Sequence, residues 1–199
     1  TAQVRALTTD QLSKLTTTQI VGLSTAQVAA LSTGQVAALT SVQINALASD
    51  DLKALTTTQV RALTSDQLSK LSSDQIALMA TDDIAALSTG QISHLSTAAI
   101  AALPTAQAKA LTTASINALT SAQVTAIETA DLAAMSTAQL SKLGTAQVAQ
   151  LTSVQVAALT SGQVKSLNSG QVAALTSAQL NALTSSQIRG LETDDIAAF

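Results

Sequence analysis

The residues that could do chemistry are few, and none has the company chemistry needs. His94, in LSTGQISHL, is the only histidine, and the chain has no cysteine. A metal centre requires several converging ligands, and an activated nucleophile requires a base beside it. His94 stands where the surrounding pattern usually places alanine, so it reads as a surface residue. Three aspartate pairs, Asp50 and Asp51, Asp82 and Asp83, and Asp194 and Asp195, could offer carboxylates to calcium. They lack the alternating ligands of a calcium loop and fit better as acids placed at helix starts. Serine and threonine hydroxyls are abundant, but no nucleophile, base and orienting group can be assembled from these residues. Gly34 and Gly90 each follow a hydroxyl residue without forming a phosphate loop, and Pro104 in LPTAQ marks a boundary between helices. The expectation is a protein that is not an enzyme, with no catalytic, cofactor-binding or metal site and no cofactor.

Composition narrows the partners. The chain has 199 residues, of which 47% are hydrophobic, so it must bury a core, yet Phe199 is its single aromatic residue. Small-molecule pockets and interface hot spots normally use aromatics, so no small-molecule substrate is expected. A net charge of -3 with nine basic residues gives nucleic acid no basic stripe to follow. The longest apolar run, AAIAAL at 98–103, falls far short of the roughly 18 residues needed to insert in a membrane. No signal peptide is visible, and the first residue, Thr1, is already in frame with the repeat. The chain therefore reads as a single repeat domain over 1–199, excerpted from something longer.

The repeat is an octad. Counting back by eight from Phe199 lands on a large apolar residue at all 25 positions, with Met79, Ile127 and Met135 the other departures from leucine. A second apolar row lies three residues earlier, from Val4 to Ile196, broken only by Ala108. Gln precedes that row in 19 octads, and Asp51, Asp83, Asp131 and Asp195 are its usual replacements. Two residues before it stands Ser or Thr in every copy. Strict periodicity of this kind denotes a solenoid or array.

Neither continuous helix nor continuous strand fits the octad. Eight residues advance an α-helix by about 800°, so each apolar row would precess by about 80° per repeat and leave no fixed face. In a strand the two rows have opposite parity and would point to opposite sides. Ala, Leu and Gln favour helix, which leaves a short helix of about six residues, broken and restarted in each octad. The predicted fold is all-α, a solenoid of about 25 short helices.

Charge placement supports this. All twelve acids lie around the proposed helix start, and all nine bases lie in the two positions before the closing leucine, as the helix dipole requires. Two hydroxyls compete for the N-cap. If Ser24 caps, Gln27 sits at the third helical position in a capping box. If Thr25 caps, the complete Ser/Thr occupancy of its row is explained directly. The second hydroxyl is the favoured choice. Two octads per coil, a working assumption, would give layers about 9 Å apart and a rod on the order of 100 Å long. Helix ends without a glycine C-cap would pass their free carbonyls to hydroxyls or N–H groups of the next unit.

The word L-[ST]-[ST]-x-Q-[VIL]-x-A resembles the octapeptide arrays of very large bacterial secreted or surface proteins, often labelled as adhesins or haem-utilisation proteins. That resemblance spans the chain and implies an extracellular or cell-surface setting and a structural stalk or filament. It carries no catalytic residues. A local likeness to the first helix of TAL-effector repeats lacks their base-reading loop and implies no DNA binding. The expected function is a structural rod, stalk or filament that associates end to end or continues in the same chain. The alternative is an ice- or surface-binding protein using rows of Thr and Ser, which frequent Thr-to-Ser exchange, as at Ser41, Ser49 and Ser65, disfavours.

Overall fold

The computed structural model describes residues 1–191. Among them are 24 α-helices of four to six residues, one per octad, from Ala2–Ala6 to Ser185–Ile188, and no strand. By contacts the chain divides into two units, Thr1–Ala102 and Leu103–Phe199.

In the octads whose helix runs up to the closing apolar residue, that residue and the N-cap that follows are both extended. Leu63 has φ -60° and ψ 132°, and Thr64 has φ -75° and ψ 157°. No described residue has positive φ, so the chain turns without a left-handed glycine C-cap. The repeated turn winds each unit into a coil that buries both apolar rows. In the first unit Val36 and Ile44 of one row are fully buried and Leu39 and Leu47 of the other are buried as well, as are Val124, Leu132, Ile127 and Met135 in the second. Each such side chain contributes roughly 2 kcal/mol by leaving water, which is what holds helices too short to persist alone.

The coil is larger than the two octads assumed from sequence. In the first unit the helix Thr33–Ala38 packs on Thr9–Ser13 three octads before it and on Thr57–Ala62 three octads after it. In the second, Ser153–Ala158 packs in the same way on Thr129–Ala134 and Ser177–Ala182. The fourth octad is also reached: Gln67 bonds Val36 and Leu39, which are 31 and 28 residues earlier. One coil therefore takes about 28 residues, between three and four octads. Two short helices cannot surround two apolar rows, whereas three to four close a ring around them.

Candidate functional site

The constellation that recurs most often in both units is built on the octad glutamine. The first hydroxyl of each Ser/Thr pair takes the N-cap, against the sequence expectation: Ser24 is the N-cap and Thr25 the first helical residue. That frame puts Gln at the third helical position, where its side chain can fold back on the N-cap. Thr64 Oγ1 accepts from the Gln67 backbone N–H at 3.2 Å, and Gln67 Oε1 accepts from the Thr64 N–H at 2.7 Å. This reciprocal pair satisfies two donors that the helix start leaves orphaned.

The other end of the same amide bonds the preceding coil. Gln67 Nε2 donates to Val36 O at 2.9 Å and Leu39 O at 2.6 Å, two carbonyls at the C-terminal end of an earlier helix. Gln43 reaches Leu12 and Leu15, and Gln91 reaches Val60 and Leu63. In the second unit Gln163 reaches Leu132 and Met135, Gln179 reaches Val148 and Leu151, and Gln147 bonds Ile116 and Leu119. One side chain thus satisfies the start of its own helix and the end of another. Sequence reasoning assigned those carbonyls to hydroxyls or backbone N–H groups and missed the amide. A signal was present: a capping box accepts Glu as readily as Gln, and the helix dipole prefers Glu, yet Glu occurs at none of the 25 positions.

The two roles separate in the first coil. Gln11 and Gln19 form the capping box but are exposed, whereas Gln35, the first with a helix four octads before it, is 4% exposed and bonded to Val4 and Leu7.

Aspartate makes a different link. Thr25 Oγ1 donates to Asp51 at 2.9 Å, Thr57 to Asp83 at 2.8 Å and Thr105 to Asp131 at 2.6 Å, each across 26 residues. These carboxylates are buried. A side chain one carbon shorter than Gln cannot span from N-cap to the earlier coil, and in the same three octads the N-cap is Ala48, Ala80 or Glu128, with no side-chain cap. The second hydroxyl of the pair, displaced from the N-cap, is thus the donor that such an aspartate uses. Basic side chains add a third link, Arg5 Nε to Ala30 O at 2.9 Å and Arg61 Nε to Ala86 O at 3.2 Å.

The sequence-level candidates for chemistry do not converge. His94 is exposed, its Nδ1 lying 2.7 Å from Gly90 O on its own helix. Asp50 is exposed and pairs with Lys53 at 3.6 Å, and Asp82 is exposed. Asp194 and Asp195 lie outside the described residues. Gly34, Gly90 and Pro104 are exposed at helix starts. Among the described residues no three of His, Cys, Asp and Glu come together as a metal site, and no helix is long and apolar enough to cross a membrane. What the recurring geometry does is fasten one coil to the next.

No curated protein matches the chain. The family model described as ALTTAQ repeat matches it eight times, at 1–25, 12–41, 20–49, 44–81, 76–113, 124–161, 158–185 and 164–199. These overlapping stretches cover all but ten residues of the chain, and the protein belongs to the ALTTAQ repeat family.

Proposed function

We propose that this protein is structural: a rod, stalk or filament, on or outside a bacterial cell, whose product is length and stiffness rather than catalysis. The observation that carries the reading is the glutamine bridge, which uses only an octad's own capping box and the backbone of the coil before it. An added octad needs no new partner chemistry, so the array extends without redesign. The same bridge would join coils of one longer chain or of two copies end to end. Most glutamine N-cap hydroxyls are engaged with the backbone, which disfavours the lattice-matching alternative.

Electron microscopy of the purified chain, with circular dichroism on the same sample, tests the proposal. The expected result is a helical spectrum with thin rods or filaments of constant width. Compact particles without elongation would refute the structural role, and thermal hysteresis in the same sample would favour ice binding instead.

A further inference from the structure

Four departures from the octad fall in three consecutive copies. Counted from the octad that closes at Leu7, these are octads 13, 14 and 15, residues 96–119. Ala99 and Ser115 are the two positions of the glutamine row that hold neither Gln nor Asp. Ala108 is the one break in the apolar row beside it, and Pro104 is the single proline. The division between the two units, after Ala102, falls inside the same stretch.

Each departure removes a fastening that other octads keep. In the first unit Ser96 Oγ accepts from the Ala99 backbone N–H at 3.1 Å, but Ala99 has no side-chain oxygen to accept from the Ser96 N–H in return. It also has no amide for Leu68 O and Leu71 O, which precede it as Val36 and Leu39 precede Gln67. In the second unit Pro104 stands at the N-cap of Thr105–Ala110 with neither a hydroxyl nor an N–H, and no capping box forms there. Ala108 is buried, and gives that helix a methyl group where Ile116 and Val124 give theirs a branched side chain. Ser115 is buried too, hydrogen-bonded through Oγ to Thr112 Oγ1 at 2.8 Å, and reaches no further than its own helix start. Elsewhere a departure leaves a link in place. Asp51 and Asp83 keep their threonine donors, and Gln147 bonds Ile116 and Leu119 although its N-cap is Gly144.

A helix of five or six residues is held by its cap, its buried side chain and its neighbours, and a repeat array opens where the sum of these is smallest. We propose that residues 96–119 are a built-in yield point: they open before any other interior stretch and leave the octads on either side coiled. The inference goes beyond the structural role proposed above and does not depend on it, since it concerns where the array opens and not what the array does.

Limited digestion of the full chain by thermolysin under native conditions tests it. That enzyme cuts before large apolar residues, which every octad supplies, so cutting reports how often an octad opens rather than its sequence. The first cut is expected within 96–119, at least ~10-fold faster than any cut within 32–47 or 144–159, where every octad keeps its glutamine bridge. Ala99→Gln, Pro104→Thr, Ala108→Val and Ser115→Gln together should slow that cut at least ~10-fold. Should this variant lose its helical spectrum, Ala99→Gln alone, which restores one link inside the first unit, should slow it about threefold. A first interior cut elsewhere, cuts spread evenly over the octads, or a rate unchanged in a helical variant overturns the proposal.

Discussion

The bridge predicts that one substitution has opposite consequences at two glutamines. Gln67→Glu keeps an oxygen to accept from the Thr64 N–H but replaces the Nε2 donor with a second oxygen, facing Val36 O and Leu39 O at a site 1% exposed. Two hydrogen bonds at about 1 kcal/mol each are lost, and a buried carboxylate must face carbonyl oxygens, so the cost near neutral pH is about 3 kcal/mol or more. Gln11→Glu makes the same chemical change in an exposed capping box with no coil before it, and a carboxylate there gains from the helix start. Its expected effect is between zero and about 0.5 kcal/mol of stabilisation. Urea unfolding followed by far-UV circular dichroism should show a lower midpoint for the first variant and an unchanged or higher one for the second. The buried carboxyl of the first has a folded-state pKa raised above its unfolded value near ~4.3. Its penalty is therefore largest above the folded pKa and shrinks as the pH falls towards the unfolded one, where the protonated acid can donate one of the two bonds that the amide makes. Equal midpoints for the two variants, or a penalty in Gln67→Glu that does not shrink in acid, would refute the assignment of the amide to the preceding coil.

Pro104→Thr supplies the hydroxyl and the N–H that the helix Thr105–Ala110 lacks at its N-cap, so thermal unfolding should move up by the equivalent of about 1 kcal/mol, and a fall would count against the capping frame. Thr25→Val removes the donor to buried Asp51 and should cost about 1–3 kcal/mol, whereas Thr33→Val, at the same position of an octad three before Gln59 rather than an aspartate, should cost well under half as much in the same denaturation assay. Ile44→Ala empties a fully buried site in a narrow core and should lower stability by about 2–5 kcal/mol, with amide hydrogen exchange accelerated first in the octads that share its coil.

The octad, the broken helix and the segregation of acids from bases were legible in the sequence because each is settled within eight residues. Hydrophobic rows, hydroxyl pairs and the helix dipole act locally, and a strict period repeats the answer at every copy. The choice between Ser24 and Thr25 as N-cap was not settled by local logic, since shifting the frame by one residue leaves a hydroxyl at the cap either way. The three-dimensional turn decides it by setting Gln27, and each glutamine like it, where its oxygen reaches back to the cap. The absence of Glu at that position pointed to an amide donor, but nothing local says what it bonds. In a chain whose octads are nearly alike, no residue identifies which neighbour it will meet. The extended φ and ψ of the closing residue and N-cap fix the angle between successive helices, and that angle brings residues 28 apart together. Only the tertiary structure could therefore replace two octads per coil with three to four, join Gln67 to Leu39, and pair Asp51 with Thr25.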